Sequence, residues 1–277
     1  MMTEVVVDTQ WLKERLNDPN VRVVEVDTSP ETFKGAHIPG AVFWNTFTDL
    51  LLPDLQMNLD PAAMARLFER SGITNDTTVV AYGSYPGTGA WIFWLLKALG
   101  HPYVRVLDGG HQKWLAENRP ISADLAQYAP TQYHVQALDS SMRISPQEVQ
   151  AAIGQKEQVL LDVRTSQEYR GEYFLLKPPE PTERAGHIPG AVHIEHLQTL
   201  NEDGTFKSLE QLQELYNSHG VTADKEIIPY CAIGARAGYI WFVLKYLLGY
   251  PHVRNYDGSW NQWSRIADAP VEKEPVA

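Results

Sequence analysis

The pentapeptide His37-Ile38-Pro39-Gly40-Ala41 returns as His187-Ile188-Pro189-Gly190-Ala191, and a valine follows both times. Self-similarity of this kind marks a duplicated folding unit and takes precedence over any local pattern. The match extends outward from the pentapeptide. Upstream, the apolar run Val23 to Asp27 answers Val159 to Val163, each with an embedded aspartate, Asp27 or Asp162. Downstream, Val79-Val80-Ala81-Tyr82-Gly83 answers Ile227-Ile228-Pro229-Tyr230-Cys231. Val104 to Gly109 then answers Val253 to Gly258, and Trp114 and Trp263 close the two series.

Each copy reads as the same alternation of elements. A capped helix comes first, after Asp8 in one half and in Ser145-Pro146-Gln147-Glu148 in the other. The latter is a capping box with proline at the first helical position. A short β-rich strand, the His-Ile-Pro-Gly turn, another strand and a helix follow. The strand ending at Gly83 or Cys231 feeds a helix rich in Trp, Phe and Leu. A last strand and helix complete the unit. Strands alternating with helices predict an α/β fold: two tandem domains, each a mainly parallel sheet with helices on both faces. The stretch from Ile121 to Ser141 has no periodicity, so the domains are expected at residues 1–123 and 143–277, with a linker over 124–142.

The chain of 277 residues is long enough for two such cores. No stretch approaches the roughly 18 apolar residues needed to cross a bilayer. The first residues lack the charged and apolar regions of a signal peptide. A single cysteine gives no reason to invoke an oxidising compartment, so a cytoplasmic location is expected, with no membrane partner. The formal charge of −11 argues against nucleic acid and opposes the approach of anions. An anionic substrate therefore requires a local site that overcomes this field.

The two copies part company after Tyr82 and Tyr230. The first loop, Gly83-Ser84-Tyr85-Pro86-Gly87-Thr88-Gly89, has no strong nucleophile and no cation. The second, Cys231-Ala232-Ile233-Gly234-Ala235-Arg236-Ala237, opens with a thiol, bends at a glycine and carries an arginine. It is expected between a strand and a helix over residues 238–248, at the carboxyl edge of the sheet, where open α/β sheets bind ligands. Backbone N–H groups curling around such a loop make an anion nest, reinforced by the helix dipole. That setting favours the thiolate, the reactive form. Arg236 adds a fixed positive charge.

These residues resemble the rhodanese family. The similarity rests on the two His-Ile-Pro-Gly-Ala turns, Asp162-Val163-Arg164 with Glu168-Tyr169, the loop from Cys231 to Arg236, and Asp257-Gly258-Ser259-Trp260. It spans essentially the whole chain and looks like the tandem form, with an inactive first copy and an active second one. The resemblance implies a sulfurtransferase that takes the sulfane sulfur of thiosulfate onto Cys231 as a persulfide and passes it to cyanide or a thiol. A small anionic sulfur donor would be the partner, and neither metal nor organic cofactor is implied. Ala232, Ile233, Gly234, Ala235 and Arg236 would bind the donor, with Arg164, Glu168 and Trp260 around them. Similar enzymes that use 3-mercaptopyruvate carry a neutral loop, so the charge of Arg236 favours thiosulfate, with mercaptopyruvate as the alternative. Ala232 departs from thiosulfate enzymes that carry a cation directly after the cysteine. A phosphatase is disfavoured because only four residues separate Cys231 from Arg236. A binding module is disfavoured by the presence of Cys231, Gly234 and Arg236 together.

Other residues carry less. Ten positions separate Asp27 from His37 but 25 separate Asp162 from His187, so the second copy holds an insertion, residues 171–186. Its Lys177 and Arg184 are expected either to add cations near the mouth of the site or to lie in a segment that serves only as a domain–domain contact. Asp27 and Asp162 recur in both copies and are expected to bond neighbouring backbone. Arg164 either pairs with Glu168 across a helical turn or faces the pocket. His37 and His187 recur in the turn and are expected to organise it. His193, Glu195 and His196 lack a fourth ligand, so no metal site is expected.

Overall fold

Strands of a parallel sheet are buried on both faces and read as nearly continuous apolar runs. In the computed structural model, which describes residues 5–175 and 177–273, this holds for both copies. The outer ends of the two expected domains, residues 1–4 and 274–277, and residue 176 of the insertion lie outside the described residues. The chain divides into two units: residues 1–54, 58–139 and 200–206, and residues 55–57, 140–199 and 207–277. Residues 124–139 have no regular secondary structure and are bonded along the first unit. The Tyr128 hydroxyl donates to the Gly40 carbonyl, and the Asp139 amide to the Ala98 carbonyl.

The first unit runs β1 (Val6–Val7), α1 (Thr9–Lys13), β2 (Val21–Asp27), α2 (Glu31–Gly35), β3 (Val42–Asn45), α3 (Pro61–Arg70), β4 (Thr78–Tyr82), α4 (Thr88–Ala98), β5 (Val104–Leu107) and α5 (Gly110–Ala116). Its sheet has the order β1-β5-β4-β2-β3, and every pairing is parallel. Alternation along the strands splits the core into two layers. On one face Val21, Val23, Val80, Tyr82 and Leu107 pack against Leu12, Phe33 and Trp114, brought by α1, α2 and α5. The other face carries α4 against β4 and β5, and Phe68 of α3 stacks on Trp44. Asp8 caps α1 by accepting from the Trp11 amide, as expected.

The second unit runs α6 (Pro146–Ala152), β6 (Gln158–Asp162), α7 (Ser166–Arg170), β7 (Val192–His193), α8 (Leu209–Asn217), β8 (Glu226–Tyr230), α9 (Ala235–Phe242) and α10 (Ser259–Trp263). The expected capping box at Ser145 and Glu148 opens α6. Three strands pair parallel in the order β7-β6-β8. Parallel bridges Ile227–Val253 and Arg143–Asn255 continue the sheet, which reproduces the strand order of the first copy. One face buries Ile228, Tyr230 and Tyr256 beneath Val149, Trp260 and Trp263. Helix α9 packs on β8. Both copies are therefore α/β units built around parallel sheets.

Candidate active site

Strand β8 ends at Tyr230, which leaves Cys231 at the carboxyl edge of the sheet. Helix α9 begins at Ala235, three residues before the expected start, so Arg236 lies in its first turn. The short turn is possible because Gly234 adopts φ 92°, and a Cβ there would overlap the carbonyl oxygen of Asp257. Its curl aims the Gly234 amide at the sulfur, N to Sγ 3.1 Å. Neighbouring N–H groups of the first turn of a helix have no intrahelical acceptor, so they add to this nest.

A second segment clamps the loop from the side. The Cys231 amide donates to Ser259 Oγ at 2.9 Å, and the hydroxyl donates to the Tyr256 carbonyl at 2.8 Å and lies 3.9 Å from Sγ. The amides of Trp260 and Asn261 donate to the carbonyls of Cys231 and Ala232, at 2.9 and 2.8 Å. Ser259 adopts φ 52°, and the matching residue of the first copy, Gly110, has the same angle. A serine in this conformation is strained where glycine is not. The sequence motif contained Ser259, but its role emerges only when φ is compared between copies.

The charges are arranged differently from the expectation. Arg236 does not stand as an unopposed cation. Its guanidinium forms two 2.8 Å hydrogen bonds with the carboxylate of Glu168, which is fully buried. Burial pushes the Glu168 carboxyl up. The Arg236 bonds and charge, the Thr165 amide and the Arg164 charge pull it down further, to about 2. Glu168 is positioned by a capping box with Thr165 at the start of α7. A buried carboxylate in this pair holds Arg236 rather than meeting an anion. Burial and the nearby Arg236 charge push His196 down to about 3, so it is neutral at physiological pH.

Arg164 takes neither of its two expected roles. It turns back on Asp162, donating from Nη2 at 2.6 Å, and also reaches the Gly186 carbonyl at 2.7 Å. With no exposure at all, it lies over the ring of Trp260, 4.6 Å from its centroid. Trp260 is likewise fully buried, and its indole donates to the Arg184 carbonyl at 3.1 Å. It supports the loop from the core instead of walling a pocket. Asp162 accepts from the Arg164 amide at 3.0 Å and Asp27 from the Thr28 amide at 2.7 Å, the backbone-bonding role expected of both. His187 stacks on Tyr169 and bonds its carbonyl at 2.8 Å, while His37 stacks on Phe33, which makes both organisers of the turn. Cys231 itself is fully buried, with Ala232 buried and Ile233, Ala235 and Arg236 half-buried.

The remaining candidates are engaged elsewhere. His193 bonds the Arg164 carbonyl at 2.9 Å and His196 the Val163 carbonyl at 3.2 Å. Among the described residues no group of three or more His, Cys, Asp or Glu side chains is placed to hold a metal. In the insertion, Arg184 bonds the carbonyls of Ile266 and Ala269, and Lys177 pairs with Glu180 at 3.4 Å. In the first copy, a Cβ at Gly83 would overlap the Val26 carbonyl oxygen and lie 2.8 Å from Thr88 Cγ2. That copy therefore has no room for a side chain where the second carries its thiol. No helix among the described residues is long and apolar enough to cross a membrane.

The chain is similar to known proteins over most of its length. A family model described as "Rhodanese-like domain" matches residues 8–117 and again 145–266. The "Sulfur carrier protein TtuD" of Thermus thermophilus is 45% identical over 276 residues, covering 98% of this chain and 97% of that protein. A protein of Mycolicibacterium smegmatis named "Putative thiosulfate sulfurtransferase" is 40% identical over 273 residues, covering 98% of both. The crystal structure of an anaerobic ergothioneine biosynthesis enzyme from Chlorobium limicola superposes with a TM-score of 0.85 at 23% identity, covering 99% of this chain and 71% of that one. At that identity it shows the fold alone.

Proposed function

Because the chain belongs to the rhodanese family, we propose that it moves the outer sulfur of thiosulfate to an acceptor through a persulfide on Cys231. The observation that carries this reading is the Gly234 amide held 3.1 Å from Cys231 Sγ at the first turn of α9. A thiolate there attacks the sulfane sulfur, a new S–S bond forms, and the old one breaks with its electron pair leaving on sulfite. The persulfide carries a negative charge on its terminal sulfur, and the nest of amides stabilises that charge. An acceptor then attacks the terminal sulfur and regenerates the thiolate, a double displacement that uses no metal or organic cofactor.

Since Glu168 balances Arg236, the pair adds little net charge, and the backbone amides supply most of the attraction for the donor. The same pairing weakens loop charge as a reason to prefer thiosulfate over 3-mercaptopyruvate. The name of the mycobacterial relative supports thiosulfate. The name of the Thermus relative, a sulfur carrier, supports the holding and onward passage of sulfur.

Intact-protein mass spectrometry after brief exposure to each donor tests the proposal. A gain of one sulfur atom, reversed by cyanide and absent in Cys231→Ser, is the expected result. The faster-loading donor identifies the substrate. No gain from either donor, or release of phosphate from an aryl phosphate, would sink the reading.

A further inference from the structure

Asn255 is fully buried, and neither its carboxamide oxygen nor its nitrogen has a hydrogen-bond partner. Such groups are rare, and each unmade bond carries a desolvation penalty. An apolar side chain would pack there without that penalty. The first copy has one, Val106, at the matching position.

Strand alternation places the carboxamide. Ile228, Tyr230 and Tyr256 all point into one core layer. With a side-chain period of two, Asn255 faces the opposite side of the sheet, as do Pro229 and Cys231. Val253 bridges Ile227 in parallel and the Tyr256 amide donates to the Pro229 carbonyl at 3.1 Å, so Asn255 lies beside Pro229, one step below Cys231. The first copy shows what a side chain reaches from here. Val106 Cγ1 would lie 3.1 Å from a Cβ at Gly89, which matches Ala237 in the first turn of α9. The backbone of Asn255 is fixed on its outer edge, its amide donating to the Met142 carbonyl at 3.0 Å and its carbonyl accepting from Ile144 at 3.2 Å. The amide group thus sits beneath the first turn of α9, one strand position from Cys231, on a rigid mount.

We propose that Asn255 is a positioning residue for sulfur transfer, whose carboxamide bonds the inner side of the 231–236 loop when Cys231 carries a second sulfur atom. This rests on the persulfide reading of the site. In the thiol state the Gly234 amide already meets Sγ. In the proposed loaded state the loop shifts to seat a further charged sulfur, and its inner backbone meets the donor that Asn255 offers. The Cys231 and Ala232 carbonyls stay held by the Trp260 and Asn261 amides. The unmet carboxamide raises the energy of the unloaded state relative to the loaded one. The first copy, with no sulfur to carry, has valine in its place.

The test compares wild type, Asn255→Val and Asn255→Asp for thiosulfate loading, persulfide lifetime, thermal unfolding and alkylation of the unloaded thiol by iodoacetamide. N255V is expected to unfold no earlier than wild type. It should load about 10-fold more slowly through kcat, with KM unchanged, because the effect runs through loop placement. Alkylation of its unloaded thiol should stay within about twofold of wild type, since the bond belongs to the loaded state. N255D keeps the size but loses the donor and adds a repelling charge, so it should load more slowly still and shed its persulfide faster. It also carries the comparison if N255V fails to fold. Wild-type loading and lifetime in both variants would overturn the assignment of Asn255 alone, whereas failure of the wild type to take sulfur from any donor would overturn the underlying function.

Discussion

Glu168→Gln isolates the pair that holds Arg236. Glutamine keeps the shape and can still cap α7, because Gln serves at the third helical position of a capping box as Glu does. It cannot accept the paired guanidinium bonds as a charge. In the native protein the carboxyl lies at about 2, against an ordinary value of 4.5. At about 1.4 kcal/mol per pH unit, that difference amounts to about 3 kcal/mol. The sign follows from the depressed value: the stability is fully present above pH 4.5 and is lost as pH falls through about 2. E168Q should therefore be about 3 kcal/mol less stable than wild type at pH 7, with the gap shrinking below pH 4.5 and nearly closed at pH 2. Urea denaturation at pH 7, 5 and 3 measures the gap, with amide hydrogen exchange in α9 reporting the second unit so that two-unit unfolding does not blur the midpoint. Comparison with R236M and the double variant isolates the coupling. A gap below about 0.5 kcal/mol at pH 7, or one that does not change by pH 3, would refute the claim that Glu168 is held ionised by Arg236.

Ser259→Gly and Ser259→Ala both remove the hydroxyl that accepts the Cys231 amide, and both should slow sulfur loading by about 10-fold or more. S259G should be more stable than S259A by about 1 kcal/mol, since only glycine relieves the positive φ, and equal stabilities in thermal melts would contradict the strain argument. Gly83→Cys in a Cys231→Ser background should take up no sulfur by mass spectrometry and should lower the melting temperature of the first unit, because its Cβ overlaps the Val26 carbonyl. Glu25 is buried beside Tyr82, and burial chiefly, with the Asp27 charge, raises its carboxyl to about 7 despite the Tyr82 bond. Its contribution is fully present below pH 4.5 and lost as pH rises through about 7, so Glu25→Gln should stabilise the protein by up to about 3 kcal/mol at pH 8 and by little at pH 5, measured by thermal melts at both pH values.

The duplication made the fold legible. Two copies of one motif series fix the strand alternation twice, and the parallel order in each unit follows from the crossovers that such alternation demands. The cysteine loop stands out in the sequence too, because the copies differ there in a thiol and an arginine. What escaped the sequence was the pairing of charges. Glu168 is three residues from its cap but 68 from Arg236, and Arg164 has Asp162 two residues away and Glu168 four away. Local spacing suggested the Arg164–Glu168 pair. The fold overrode it, because Arg164 starts at the strand end and folds back over Trp260, while α9 carries Arg236 down onto the capped end of α7. Helix periodicity also misplaced the start of α9, since the apolar pattern begins after the first turn and only Gly234, in its left-handed conformation, marks the true boundary.

Under the proposed function, the two loops together account for the second copy rather than the first carrying the sulfur, beyond the presence of a thiol. In the second unit Gly234 bends the chain and Ser259 accepts the strained angle, so that an amide and a hydroxyl stand near Sγ. In the first unit Gly110 relaxes that same angle, Val106 fills the floor, and the site of the thiol is closed by the Val26 carbonyl and Thr88. Two positions thus trade strain or an unmet polar group in one copy for comfort in the other, Ser259 for Gly110 and Asn255 for Val106, beside the exchange of Cys231 for Gly83. Departures from the locally favourable choice gather where the chemistry is. Because the fold is common to both halves, each can be read as the other's control. A thiol placed in the first copy without these accompanying residues would lack the Ser259 hydroxyl and the space that the proposed persulfide requires.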